Sequence, residues 1–199
     1  MHTDVVALPG SLRAGSYTHA LLRAAAQLVP EGMAFETLDI RDLPLYDADH
    51  DESYGGTSTP AAAEALRERV SVADGLVLGV TEYNWGPSAP LKNAIDWLSR
   101  PLAAGPLSHK PVGLVGASPG PAGTGRAQLQ MRQNLAYTRT FVLPFPLVHV
   151  GNAGDVFGED LELEDGGVRE QLSAFMLAFS RWIVAVGGLE LESPAARSR

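Results

Sequence analysis

Short apolar runs alternate with amphipathic helical patterns along the whole sequence, and this alternation restricts the possible folds more than any other feature. The apolar runs are rich in valine and leucine, as in strands buried on both faces. They cover residues 4–8, 34–39, 75–81, 111–117 and 141–150. The helical patterns cover residues 18–28, 60–72, 91–99, 128–138 and 168–186. The alternation predicts an α/β fold with a doubly wound, five-stranded parallel sheet and helices on both faces.

Length, charge and residue content restrict the class of protein further. The 199 residues are enough for one sizeable core, so a single domain over residues 1–199 is predicted. The absence of cysteine excludes disulfides, thiolate catalysis and zinc–thiolate sites. A net charge of -8 without a basic run argues against binding to nucleic acid or to a membrane surface. Neither a membrane span nor a signal peptide is recognisable, so we expect a cytoplasmic location.

The first strand-to-helix loop has the composition of a phosphate site. Its sequence is GSLRAGSYT (residues 10–18). Glycines allow close approach of the backbone, hydroxyls donate hydrogen bonds, a helix N-terminus attracts anions, and Arg13 supplies a full positive charge. The alternative is a tight turn in which Ser16 caps the helix and Arg13 is solvated. The loop matches neither G-x-G-x-x-G nor G-x-x-x-x-G-K-[ST], which disfavours dinucleotide-fold and P-loop chemistry.

The loop after the third strand suits a planar heteroaromatic ring. Within TEYNWGPSAPLKNAIDW (residues 81–97), Glu82, Tyr83, Asn84 and Trp85 combine flat apolar surface with polar groups for a ring edge. The alternative is a loop whose aromatic side chains fill the core beside Trp97.

A third loop follows the fourth strand. Its sequence is GASPGPAGTGRAQ (residues 116–128), in which Ser118 and Gly120 would allow close approach to a ligand. In a doubly wound sheet, ligands bind beyond the carboxyl ends of the strands. We therefore expect the three loops to converge on one crevice.

Other candidate sites are weaker. The motif Asp47-x-Asp49-x-Asp51 resembles the start of a calcium loop, but Glu52 and Ser58 occupy positions that need glycine and glutamate. The five histidines have no metal-ligand spacing, so no metal site is predicted.

Taken together, these segments resemble the NADPH-dependent FMN reductases, a flavodoxin-like family that includes quinone and chromate reductases. The resemblance covers roughly residues 4–186. It is carried by GSLR (10–13) with Ser16, LPLYDAD (43–49), EYN (82–84), LKNAIDW (91–97) and GRAQLQMRQ (125–133). Four positions depart from the usual family pattern: Thr18 replaces Asn, Thr81 replaces Pro, and Ser88-Ala89 replaces Pro-Gly.

The resemblance implies a flavodoxin-like sheet with strand order 2-1-3-4-5 and a bound FMN. The residues implied at the FMN phosphate are Ser11, Arg13, Ser16, Tyr17 and Thr18. The residues implied at the isoalloxazine ring are Glu82, Tyr83, Asn84, Trp85, Ser118 and Gly120.

The implied activity is that of an NAD(P)H oxidoreductase. NADPH or NADH would reduce FMN by hydride transfer, and a quinone, a free flavin or a similar small oxidant would then be reduced in a ping-pong sequence. No catalytic side chain is assigned, because the cofactor carries the chemistry. The family also implies a homodimer or homotetramer in which a neighbouring chain closes the flavin pocket. The alternative is a non-enzymatic electron carrier or flavin-binding protein.

Overall fold

The computed structural model describes residues 2–102 and 104–189. Its strands are β1 (Thr3–Pro9), β2 (Met33–Thr37), β3 (Gly75–Gly79), β4 (Glu82–Tyr83), β5 (Gly86–Pro87), β6 (Pro111–Ala117), β7 (Phe141–Val142) and β8 (Val148–Val150). Its α-helices are α1 (Tyr17–Gln27), α2 (Ala61–Val72), α3 (Ala89–Leu98), α4 (Gly125–Tyr137) and α5 (Gly166–Val186). The predicted single domain extends to residue 199, but residues 190–199 lie outside the described ranges.

The main sheet is parallel and has the order β2-β1-β3-β6-β7, with β8 also paired to β6. In the centre, Val6 lies beside Glu36 on one side and Leu76 on the other. Once the small β4–β5 pair is set aside, β6 is the fourth predicted strand, and β7 and β8 together are the fifth. The predicted α/β class, strand order and parallel direction are therefore confirmed.

The fifth strand differs from the prediction. Instead of running over residues 141–150, it is divided into β7 and β8, which pair with the two ends of β6. Between them lie Pro144 and Pro146. A proline has no N–H to donate to a neighbouring strand, so a continuous ladder is interrupted there.

Helices cover both faces of the sheet. Side chains of α1 and α5 fill one core cluster, and side chains of α2, α3 and α4 fill the other. The helix α5 packs closely on the centre of the sheet, because a Cβ atom at Gly113 would lie 2.6 Å from Cζ of Phe175. A larger residue at Gly113 would push this helix away. No helix in the described ranges is long and apolar enough to cross a membrane.

A buried ion pair fixes the long loop before α2. Asp51 is fully buried, and its Oδ2 atom accepts a hydrogen bond of 2.7 Å from Nη2 of Arg67. Burial alone would raise the pKa of Asp51, but hydrogen bonds from Arg67 and Ser53 outweigh it and hold the pKa below its usual range. The acidic motif that resembled a calcium loop thus contributes one carboxylate to the protein interior.

Candidate functional site

Strands β1, β3 and β6 end at the same edge of the sheet, and the loop after β1 begins the site. Ser16 caps α1, since its Oγ accepts a hydrogen bond of 3.3 Å from the amide of His19. Ser11 Oγ accepts from the amide of Arg13 at 3.2 Å. The Arg13 side chain is exposed and lines the cleft, and no hydrogen bond or ion pair engages its guanidinium within the described ranges. A free cation and the first-turn amides of α1 therefore face the same space.

His19 braces this loop from the helix. Its Nε2 atom lies 2.6 Å from the carbonyl oxygen of Ser11. Because a carbonyl oxygen can only accept, His19 carries a proton on Nε2 and donates it. This role was not predicted, because the histidines lack metal-ligand spacing and their sequence positions indicated no other function. The available signal was the position of His19, three residues after the cap.

The side chain of Thr18 is almost completely buried, and its hydroxyl is hydrogen-bonded within the protein. It is only 2% exposed, and its Oγ1 donates to the carbonyl oxygen of Ala117 at 3.4 Å. Oγ1 of Thr81 donates to Oγ1 of Thr18 at 3.2 Å. These contacts join the start of α1, the segment between β3 and β4, and the end of β6. The two threonines that depart from the family pattern are thus hydrogen-bonded to each other.

The loop after β3 forms a hairpin rather than an irregular segment. Glu82 and Tyr83 in β4 pair with Pro87 and Gly86 in β5. The two residues between the strands, Asn84 and Trp85, have φ angles of 50° and 69°. Positive φ at both central positions is typical of a type I′ turn, which matches the twist of a two-residue hairpin. The hairpin sets Tyr83 at the edge of the cleft and Trp85 at the tip.

The first turns of α4 hold the outer side of this hairpin. Glu82 Oε2 accepts from the amide of Ala127 at 3.0 Å, and Gln130 Nε2 donates to the carbonyl oxygen of Trp85 at 3.0 Å. The Arg126 guanidinium lies 4.7 Å from the centre of the Trp85 ring and 3.5 Å from Glu82 Oε1. The Glu82 carboxylate and the Trp85 ring therefore contact α4, whereas the resemblance assigned both residues to the flavin ring.

The loop after β6 is held from behind by the segment after β8. Ser118 Oγ donates to the carbonyl oxygen of Gly120 at 3.0 Å, and the same oxygen accepts from the amide of Asn152 at 3.1 Å. A Cβ atom built on Gly120 would have no neighbouring atom within 4 Å. The loop is thus fixed in place while open space remains beside Gly120.

A network of polar side chains between α4 and β8 supports the loop after β6. Gln128 Nε2 donates to Oγ1 of Thr124 and to the carbonyl oxygen of Val148, so its Oε1 accepts from Nε2 of His149 at 3.1 Å. Burial lowers the pKa of His149, and the nearby positive charge of Arg132 lowers it further. A neutral His149 fits this arrangement.

One cleft collects most of the predicted site residues. Its predicted lining residues are Ser11, Arg13, Ser16, Tyr17, Thr18, Glu82, Tyr83 and Ser118. Thr81, Ala117 and Pro119 complete the lining. The other predicted residues, Asn84, Trp85 and Gly120, belong to the neighbouring turn and loop and lie outside the lining.

Ser88 has a structural role beside the cleft that the sequence did not predict. This residue is 1% exposed, and its Oγ donates to the carbonyl oxygen of Gly10. Its amide donates to the carbonyl oxygen of Thr81 at 3.0 Å. Ser88 therefore joins the first loop to the end of the hairpin segment and stabilises their spacing.

The donor set of the cleft fits an FMN. Arg13, two serine hydroxyls and the amides at the start of α1 suit a phosphate, and the flat side chains of Tyr83 and Pro119 suit a ring. The cleft encloses about 60 Å³, well below the ~300 Å³ of a small ligand pocket. A cleft of this volume has room for only part of a mononucleotide. A larger cleft of about 440 Å³ between α3 and α4 includes none of these loops.

Comparison with known protein families gives a direct assignment. The model of the family described as NADPH-dependent FMN reductase matches residues 3–155. The chain belongs to this family. The matched range contains all three loops of the cleft.

Individual relatives of this reductase family span almost the whole chain. An NAD(P)H-dependent FMN reductase of Pseudomonas aeruginosa is 39% identical over 184 residues, which cover 92% of this chain and 97% of that protein. A quinone reductase of Escherichia coli is 39% identical over 185 residues, covering 92% of this chain and 96% of that protein.

Among solved structures, the flavoenzyme NAD(P)H:(acceptor) oxidoreductase FerB of Paracoccus denitrificans superimposes with a TM-score of 0.82. It is 28% identical, and the match covers 92% of this chain and 98% of that chain. Flavodoxin 1 of Bacillus cereus, at 17% identity and a TM-score of 0.56, shares the fold alone.

Membership in the reductase family confirms several sequence predictions. The family, the flavodoxin-like fold, the reaction class of an NAD(P)H oxidoreductase and the use of FMN are confirmed. The individual FMN-binding residues stay a prediction. The structure brings eight of the eleven to one cleft and places the other three beside it.

Proposed function

We propose that this protein uses NADPH or NADH to reduce an FMN held at the cleft and then passes the electrons to a quinone, a free flavin or a similar small oxidant. The observation that carries this proposal is the convergence of the three loops on a cleft lined by Arg13, whose guanidinium has no partner in the part of the chain that the structure describes. FMN supplies the redox chemistry, since it accepts a hydride and later releases the electrons to an oxidant.

The protein's part is binding and orientation. Arg13, Ser11 and Ser16 hold the phosphate together with the amides of Tyr17 and Thr18 at the start of α1. Charge-assisted hydrogen bonds to phosphate are among the strongest that a protein surface offers. Because the net charge of the chain is -8, this local group of donors is what attracts an anion to an otherwise repelling surface.

In the same cleft, the hairpin and the loop after β6 orient the ring. Tyr83 is 51% exposed beside the cleft, and open space lies next to Gly120. The hairpin is fixed by α4 and the loop by the segment after β8, so both surfaces are ordered before a ligand arrives. An open ring face serves the nicotinamide first and the oxidant afterwards, which requires that the two substrates alternate.

Kinetics test this proposal and separate it from an electron carrier. The protein loaded with FMN should lose its visible absorption on anaerobic addition of NADPH or NADH without a partner protein. With benzoquinone as the varied acceptor, double-reciprocal plots should give parallel lines, with turnover of about 1 to 1000 per second. If dithionite bleaches the flavin but neither nicotinamide does, the reductase proposal fails and the protein is a carrier.

The proposal includes a homo-oligomer, a dimer or tetramer. Two observations support it: the cleft encloses only about 60 Å³, and Trp85 beside it is 67% exposed. A neighbouring copy would cover both. Light scattering coupled to size-exclusion chromatography tests this, and a monomer at micromolar concentration in the presence of FMN contradicts it. The cytoplasmic location expected from the sequence stays a prediction.

A further inference from the structure

Two threonine hydroxyls form a directed chain of hydrogen bonds across the carboxyl edge of the sheet. Thr81 Oγ1 lies 3.2 Å from Thr18 Oγ1, which lies 3.4 Å from the carbonyl oxygen of Ala117. Thr18 is 2% exposed, whereas Thr81 is half-buried and lines the cleft. This chain of hydrogen bonds thus starts at the cleft and ends inside the protein.

The acceptor at the buried end, the carbonyl oxygen of Ala117, fixes the direction of these hydrogen bonds. The carbonyl oxygen of Ala117 can only accept, so the single proton of the Thr18 hydroxyl is used there. The Thr18 oxygen must then accept the proton of Thr81. A hydroxyl has one proton and two lone pairs. With its proton engaged by Thr18, Thr81 offers the cleft an acceptor and not a donor.

The position of Thr81 indicates which part of a ligand it meets. Residues suited to the phosphate, Ser11, Arg13 and Ser16, belong to the loop after β1, whereas Tyr83 belongs to the hairpin and Pro119 to the loop after β6. Thr81 connects the two groups, since its hydroxyl bonds to Thr18 at the start of α1 and it directly precedes the hairpin. In FMN, the group between phosphate and ring is the ribityl chain, whose hydroxyl groups are hydrogen-bond donors.

We propose that Thr81 accepts a hydrogen bond from a ribityl hydroxyl of FMN, and that Thr18 is a positioning residue that sets the direction of the Thr81 hydroxyl. This inference rests on the proposed function, because it assumes FMN at the cleft. It assigns a ligand contact to a residue that departs from the family's usual proline, which has no hydroxyl.

Deoxy analogues of FMN test the contact. The wild-type protein, Thr81→Val, Thr18→Val and a distant control, Thr37→Val, are each titrated with FMN and with 2′-, 3′- and 4′-deoxy-FMN by fluorescence quenching. The wild type and the control should bind at least one analogue about 2- to 12-fold more weakly than FMN, the worth of a neutral hydrogen bond. In Thr81→Val this discrimination should disappear. Discrimination that persists in full in Thr81→Val overturns the proposal.

The Thr18 variant tests the direction of the chain. Without its partner the Thr81 hydroxyl rotates freely, so Thr18→Val should discriminate against the same analogue less than the wild type does. If Thr18→Val discriminates against the analogue as strongly as the wild type does, the positioning role of Thr18 is overturned. Thr81→Ser, which keeps the hydroxyl, should restore discrimination and shows that the valine effect is not one of folding. A wild type that binds no FMN refutes the proposed function instead, and this result is distinct from a missing effect of the variants.

Discussion

The imidazole Nε2 of His19 donates a hydrogen bond of 2.6 Å to the carbonyl oxygen of Ser11. His19 belongs to the first turn of α1 and Ser11 to the loop before it. This contact therefore holds the loop that carries Arg13 against the start of the helix. The Arg13 guanidinium and the helix amides therefore stay near one another without a ligand. Such preorganisation lowers the entropy that binding would otherwise cost.

Replacing His19 by alanine should weaken binding of FMN more than binding of riboflavin. The loop loses its brace, and only FMN has the phosphate that the loop would bind. We expect a loss of about 5-fold for FMN, the value of one hydrogen bond. Fluorescence titrations with both ligands measure it, with the exposed His50→Ala as the control. Equal losses for the two flavins would show that His19 acts on the fold and not on the phosphate loop.

Arg13→Ala should lower FMN affinity by about 30- to 150-fold, because a charge-assisted contact to phosphate is worth about 2 to 3 kcal/mol. The exposed side chain has no role in the core, so the melting temperature of the apoprotein should not change. Arg41→Ala, a surface variant outside the cleft, provides the comparison. Equal affinities of the wild type and Arg13→Ala would make Arg13 a solvated residue.

Gly120→Val should lower the amount of bound flavin while the circular dichroism spectrum stays like that of the wild type. The added side chain enters open space and so leaves the loop intact, but it fills the volume that the ring edge needs. Gly188→Val is a matched control, since a Cβ atom there also meets nothing within 4 Å. Full flavin occupancy in Gly120→Val would place the ring away from this loop.

Asp51→Asn should destabilise the protein by about 3 to 5 kcal/mol at pH 7, because it removes the negative charge opposite the largely buried guanidinium of Arg67. Urea unfolding measures this, with the exposed Asp42→Asn as the control. A variant as stable as the wild type would show that the ion pair contributes nothing to the fold.

The same ion pair gives a pH dependence. The pKa of Asp51 is lowered in the folded state, so its contribution to stability is complete above the unfolded value of about 3.9 and is lost as the pH falls through the folded pKa. The wild type should lose stability below about pH 4. Asp51→Asn should show a smaller loss over the same interval, and an identical slope would contradict the assignment.

The sequence was most informative where long patterns repeat. Continuous apolar runs are sufficient to predict strands, and their alternation with helices predicts the parallel sheet. The hairpin was missed because strands of two residues leave no periodicity. The interruption between β7 and β8 was missed because the apolar pattern continues through Pro144 and Pro146. Prolines alone were the signal that the ladder stops.

Within the site, composition predicted which loops converge but not where each side chain points. The assignment of Glu82 to the ring stays a prediction, but the sequence did not indicate that its carboxylate accepts a hydrogen bond from the amide of Ala127, which is 45 residues away in sequence. A contact of that separation depends on the packing of α4 and leaves no local trace. The link between Thr18 and Thr81 is likewise invisible until the strands are placed side by side.

The interrupted sheet edge formed by β7 and β8 affects the tendency of the protein to aggregate in a crowded solution. An exposed sheet border is a template on which further chains can add strands and begin to aggregate. Here β7 and β8 offer only two and three residues of regular strand. Trp182 and Arg132 also donate hydrogen bonds to the carbonyl oxygens of Phe141 and Leu143. The interruption removes a few hydrogen bonds from the sheet. It also shortens the regular strand edge with which a strand of another molecule could pair.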